Sequence, residues 1–233
     1  MNLVARVWNS SLGKKYIMAI TGCALVLFVV AHLLGNLQIF LGRDVINRYG
    51  AFLQNNLELI WPARIGLLAM VVLHIISAAR LTAENRAARP VKYQQCEIVA
   101  ASYASRTMMM SGLIVAAFIV YHLLHFTVQT EAINFTGKNF HTLVDDKGRH
   151  DVYGMMVLGF SRPIVSAFYI VAMALLCLHL SHGMSSMFQS MGWKKAYYKP
   201  LLDGGARFVA ALIFLGYVSI PIAILLGLVR EGK

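Results

Sequence analysis

The sequence predicts an all-α integral membrane protein, a single bundle of five spanning helices, and three observations carry that prediction. The 233 residues are 58% hydrophobic and only 13% charged, with a mean hydropathy of +0.64, which lies outside the range of ordinary soluble domains. Five stretches are apolar over the ~20 residues that crossing a hydrocarbon core requires: Tyr16–Leu41, Ile60–Thr82, Thr107–Thr130, Ser161–Gln189 and Ala206–Leu228. None of the five contains an Asp or Glu, so a buried carboxylate relay of the kind ion pumps need is not expected.

The first stretch follows Lys14 and Lys15, as a secretion signal would. It is too long for one and lacks a small-residue cleavage site, so it reads as a retained helix. Pro62 and Pro163 read as first-turn prolines of helices two and four, where a missing N–H is harmless. Glu131–Phe160, about thirty residues between spans three and four, holds too little apolar material for a separate core. Within it Asp151–Phe160 (DVYGMMVLGF) reads as a short interfacial helix. The fifth stretch has no histidine and reads as a packing or boundary helix. Residues 1–233 thus form one domain, with the termini on opposite sides of the bilayer.

The formal charge of +11 lies in the loops, where orientation rather than nucleic acid accounts for it. With a cytoplasmic N-terminus, the inner segments carry 12 Lys and Arg against 3 acids, and the outer ones 9 against 7. That bias predicts a multi-pass protein with its N-terminus inside. Arg86, Arg89, Lys92, Lys194 and Lys195 could also meet an acidic partner surface, but the orientation rule already explains them. Cys23, Cys96 and Cys177 form no C-x-x-C pair, and there is no C-x-x-C-H for thioether attachment of haem.

Six of eight histidines fall inside spans: His32, His74, His122, His125, His179 and His182. One such residue is most simply an interhelical hydrogen bond, but four on four different helices call for a function. By depth, His32 and His122 lie beyond the middle of outward-running helices, and His74 and His179 beyond the middle of inward-running ones. The result is two pairs, one ~5 Å outside the mid-plane and one ~5 Å inside it. Facing neutral imidazoles are what bis-histidine coordination of haem in a bundle core requires, so the fold class becomes a five-helix membrane bundle enclosing two haems.

Helices one and three share a spacing: Thr21-Gly22, then nine residues to His32-Leu33-Leu34, against Ser111-Gly112, then nine to His122-Leu123-Leu124. Thr21 stands three turns before His32 on nearly the same face. Gly22 and Gly112 therefore read either as places where a porphyrin presses on backbone or as close helix contacts. His125 and His182, three residues past proposed ligands, read as propionate or quinone contacts, and His141 and His150 as solvated loop residues. Glu58 and Arg64, flanking Trp61-Pro62, are the charged pair best placed for quinone protonation at the outer level, with a plain interfacial role as the alternative.

Taken together, TGCALVLFVVAHLLGN, ELIWPARIGLLAMVVLHIISAARL, SGLIVAAFIVYHLLHF, DVYGMMVLGFSRP and HLSHGMSSMFQSMGW resemble the di-haem cytochrome b558 membrane-anchor subunit of succinate dehydrogenases and fumarate reductases. The resemblance runs nearly end to end. It implies two haem b groups, the outer on His32 and His122 and the inner on His74 and His179. It also implies a quinone, menaquinone in this family, and docking of an FAD flavoprotein and an iron-sulfur subunit on the cytoplasmic face. The chain would then be no enzyme by itself but a carrier of electrons between iron-sulfur subunit and quinone. One departure stands out: some members of the wider family carry a glutamate two residues before the helix-four ligand, where this chain has Cys177, which puts a proton path through that position in doubt. Two other readings stay open, an anchor cytochrome of hydrogenase or formate dehydrogenase type, and a haem-free bundle with hydrogen-bonded histidines.

Overall fold

A computed structural model describes residues 2–88 and 107–231. Cys96, Arg89 and Lys92 lie outside the described residues. In chain order the helices are α1 (Leu3–Asn9), α2 (Ser11–Leu37, extended by a 3-10 turn to Leu41), α3 (Arg43–Asn55), α4 (Leu57–Ala87), α5 (Met108–His122, continued as a π-helical turn over Leu123–Thr127), α6 (Glu131–Asn134), α7 (Val152–Phe160), α8 (Pro163–Ser190) and α9 (Lys199–Leu225). There is no β-strand among the described residues. Five helices, α2, α4, α5, α8 and α9, are long and apolar enough to cross a membrane.

These helices are apolar on both faces. Leu27, Leu34, Leu68, Leu113 and Leu215 are each more than 60% exposed on the outside of the bundle, an arrangement that only a lipid solvent makes favourable. Inside, α8 is central and packs against α2, α5 and α9, while α4 lies along α2. α9 is fastened across the bundle by the Tyr217 hydroxyl, which donates to the Val29 carbonyl at 2.8 Å. A Cβ at Gly216 would come within 2.9 Å of the Leu33 side chain.

The helix starts are local chemistry. Ser10 caps α2 by accepting from the Gly13 amide at 2.9 Å, and Pro163 occupies the first turn of α8, as expected. Pro62 does not occupy a first turn. α4 begins at Leu57, so the proline lies inside the helix and deprives the Glu58 carbonyl of its donor four residues on.

The end of the bundle remote from the N-terminus carries a cap that the hydropathy pattern does not announce. α3 is amphipathic, with Val45, Ile46, Tyr49, Phe52 and Leu53 at helical spacing, but it is too polar to read as a span, and it docks on α7 through polar groups as well as through buried Ile46. Asp151 is the N-cap of α7, accepting from the Gly154 amide at 3.1 Å and from Asn47 at 2.8 Å, and it pairs with Arg43. Asn47, fully buried, accepts in turn from the Tyr153 amide at 2.9 Å. Asp145 accepts from the amides of Lys147 and Arg149 and from the Arg149 guanidinium. The short helix forms where the sequence places it and is enclosed by protein. Tyr153, Met155, Met156, Val157 and Phe160 are all buried, because α3, α8 and α9 close over it.

This cap has an acid-sensitive hinge of charge. Burial raises the Asp145 and Asp151 carboxyls, but Arg149, Arg43, Asn47 and backbone amides outweigh burial and hold both below the usual carboxylate range. A depressed folded-state pKa contributes stability that is present above the unfolded value of about 3.9 and is lost as pH falls through the folded one. Amide protection in 43–55 and 140–160 is therefore expected to fall progressively below about pH 4 while that of the spans persists. Hydrogen exchange corrected for intrinsic rates measures this, and equal protection of the cap at pH 7 and pH 3 would refute it.

At the N-terminal end two basic residues are structural. Lys14 is only 2% exposed and pairs with Glu84 at 2.7 Å, and Lys194 joins Asp203 at 2.5 Å and the Ser185 hydroxyl at 2.6 Å.

Candidate functional site

The four histidines singled out by depth meet two by two. His32 of α2 faces His122 of α5 with ring centroids 5.7 Å apart, and His74 of α4 faces His179 of α8 at 6.5 Å. The second pair lies toward the N-terminal end, at the level of Thr21 and Ser111; the first lies three turns, roughly 16 Å, further along α2. The near and far pairs are thus separate centres in one bundle.

Each near-end imidazole sits on the small-residue motif of a neighbouring helix. The Thr21 hydroxyl lies 3.1 Å from His74 Nδ1 and donates its own hydrogen to the Ile17 carbonyl at 2.8 Å. With that hydrogen committed, Thr21 Oγ1 accepts from His74 Nδ1–H. α5 repeats the device: Ser111 Oγ is 3.2 Å from His179 Nδ1 and donates to the Met108 carbonyl at 3.0 Å. A proton fixed on Nδ1 leaves Nε2 with a free lone pair, the state a metal ligand needs. Gly22 and Gly112 complete the seats. A Cβ would stand 3.3 Å from His74 Cε1 at Gly22 and 3.4 Å from His179 Cε1 at Gly112, so both glycines make room for imidazole rings of neighbouring helices.

No protein-family model matches the chain, and neither a curated protein nor a solved structure does. The site must be read from its own chemistry.

The far pair is built from aromatic contacts. His32 stacks on Phe28, at 5.4 Å with an interplanar angle of 18°, and has Tyr217 at 6.4 Å. His122 packs against Phe118 at 5.9 Å and reaches the Tyr169 hydroxyl with Nδ1 at 3.4 Å. Tyr169, on α8, carried no spacing signal. A hydroxyl in an apolar span, which needs a partner, was the one hint available. His125 is fully buried and also bonds Tyr169, at 3.1 Å.

The remaining candidates scatter. His182 is half-buried near the N-terminal end. Glu58 and Arg64 are exposed, and the Arg64 guanidinium lies over the Trp61 ring at 5.4 Å. A shallow far-end cavity, open to the outside, is lined instead by Gln54, Thr127, Gln129, His141 and His150. His150 is not a freely solvated loop residue: its Nε2 meets the Gln129 amide nitrogen at 3.1 Å. Gln129 itself has φ +57°, and its side-chain oxygen is buried without a partner. Cys23 and Cys177 are free thiols, Cys177 buried two residues before His179.

Among the described residues no three or more His, Cys, Asp or Glu side chains converge. Each pair offers two imidazoles, and a metal held between them would need its other positions filled by a separate group such as a macrocycle. Two imidazoles that shared one metal, each bound through nitrogen at about 2 Å, would have ring centroids about 6 Å apart, and the observed 5.7 and 6.5 Å lie on either side of that value.

Proposed function

We propose that this chain is a di-haem cytochrome b membrane anchor of the succinate:quinone oxidoreductase kind. It would pass electrons between an iron-sulfur subunit and membrane quinone, with menaquinone the quinone that the resemblance implies. The observation that carries the reading is the pair of facing imidazole couples at two depths, the near couple with both Nδ1 positions anchored on hydroxyls. His74 and His179 would hold one haem b, and His32 and His122 the other. Bound there, the haems would supply one-electron redox centres spaced across the bilayer.

The chain's own residues do the rest. Thr21 and Ser111 fix the tautomers of the near ligands, Gly22 and Gly112 give those rings their space, and the apolar helices exclude water from both centres. The basic N-terminal end would face the cytoplasm and receive the FAD flavoprotein and iron-sulfur subunits. At the other end a quinone headgroup, which needs hydrogen-bonding partners, would find Gln129, His141 and His150 in the polar cavity, with Glu58 and Arg64 exposed at the start of α4.

Purified protein is expected to give b-type spectra and about two protohaems per chain by pyridine haemochrome. A cofactor-replete preparation without haem would defeat the proposal. Copurification with an FAD subunit and succinate-to-quinone activity would separate it from the hydrogenase or formate dehydrogenase alternative. Losing an outer-shell partner of a metal-bound histidine typically costs about 10–100-fold in affinity. Thr21→Val and Ser111→Ala should therefore each weaken retention of the near haem. Each should also raise its midpoint potential, since an imidazole with a weaker acceptor donates less charge to ferric iron, and Thr21→Val by less because the Met18 carbonyl still meets the His74 ring. Titration of both haems checks this, and an unchanged near midpoint counts against it.

A further inference from the structure

One hydroxyl in the far pair is shared by two histidines, and counting its protons assigns it a role. Tyr169 is 6% exposed, and its oxygen meets Nδ1 of His122 at 3.4 Å and Nδ1 of His125 at 3.1 Å. His122 ends α5 and His125 lies in the π-helical turn over Leu123–Thr127, and both rings reach that one atom; such turns recur where a helix serves a site. His125 is enclosed by Tyr121, Phe126 and Phe140 at centroid distances of 5.5, 4.0 and 5.9 Å, and its Nε2 has no hydrogen-bond partner.

Three proton arrangements satisfy the two contacts. If both histidines donate, the Tyr169 hydrogen and the His125 Nε2 lone pair are both left unmet. If His125 donates and Tyr169 donates to His122, the proton of His122 sits on Nε2 and that ring cannot bind a metal. If His122 donates and Tyr169 passes its hydrogen to His125, only the Nε2–H of His125 is unmet, and His122 presents Nε2 as a ligand. Buried polar groups resist being left unpaired, so the third arrangement is the one compatible with both burial and ligation.

We infer that Tyr169 is a positioning residue for the far pair, its hydroxyl linking His122 to His125 in a directed hydrogen-bond chain that holds His122 in its metal-binding tautomer. This rests on the haem reading above. His125 is the terminal acceptor that orients the Tyr169 hydrogen, and consecutive bonds of this kind strengthen one another.

The test is redox titration of both haems in the purified protein carrying Tyr169→Phe, His125→Phe or His125→Asn, with low-spin ferric EPR of the far haem. Tyr169→Phe should raise the far midpoint and change its EPR signal while the near haem, an internal control of folding, stays as in wild type. His125→Phe keeps a ring in the aromatic enclosure but removes the acceptor, so it should shift the far haem the same way by less. His125→Asn keeps an acceptor where Nδ1 stood and should remain close to wild type. A packing role predicts the reverse order at 125, with Phe silent and Asn disruptive, and that result would overturn the inference. A silent Tyr169→Phe, or equal shifts of both haems, would overturn it as well. Should Tyr169→Phe shed the far haem, the order of the two His125 variants decides. Wild-type protein without haem defeats the functional reading first and this inference with it, whereas two haems with a silent Tyr169→Phe defeat this inference alone.

Discussion

Alanine at His74 or at His179 is expected to leave the protein with one haem per chain, the far one, whereas alanine at His32 or His122 should leave only the near one. The expectation is selective because the pairs share no ligand and lie roughly 16 Å apart along α2. Removing one imidazole would leave the proposed haem with a single protein ligand and opens a cavity in a packed bundle, while the other pair keeps both rings and their partners. His179→Ala also leaves the Ser111 hydroxyl without its imidazole partner, and His74→Ala does the same to Thr21. Optical redox titration of membranes from each variant reads the loss. Equal loss of both centres in all four would show that the pairs are not independent sites and would remove the basis of the proposed function.

Leucine at Gly22 should be nearly as damaging to the near centre as loss of its ligand. A Cβ there would already stand 3.3 Å from His74 Cε1, tight enough that the ring must give slightly, and at Gly112 it would stand 3.4 Å from His179 Cε1 in ordinary contact. Gly22→Ala and Gly112→Ala should therefore be mild, the second milder than the first. The further carbons of leucine occupy the space of the imidazole itself, and overpacking of this kind costs about 1–3 kcal/mol in a well-packed core. Gly22→Leu and Gly112→Leu are expected to displace the ring, break its bond to Thr21 or Ser111, and abolish the near haem while the far haem remains. Near-haem content unchanged in both leucine variants would mean that the glycines serve ordinary helix contacts instead.

The proportion of the site legible in the sequence follows from what periodicity carries. Depth along a span depends on one rise per residue, so it could pair His32 with His122 and His74 with His179, rings that the structure brings face to face. The eleven-residue spacing from Thr21 to His32, and again from Ser111 to His122, could show that each helix presents both features on one face. It could not show what each feature touches. That Gly22 and Thr21 seat His74 of α4 depends on where α4 lies around α2, and no property of either segment alone fixes that angle. Pro62 lies deeper in its helix than the sequence suggests for a related reason: the charged Glu58 interrupts the apolar run, so hydropathy starts the helix at Ile60, while backbone hydrogen bonding starts it at Leu57.

Composition and hydropathy by themselves determined an all-α chain with five spans, because burying twenty apolar residues in lipid has only one local solution, a helix with its own hydrogen bonds satisfied. The tertiary structure alone decided that α3 and α7 close the far end through Arg43, Asn47 and Asp151, that Lys14 is buried against Glu84, and that Tyr169 links His122 to His125. These are contacts between polar groups distant in sequence. Their partners depend on which helices become neighbours and on how each is turned about its axis, neither of which is written in the pattern of any one segment.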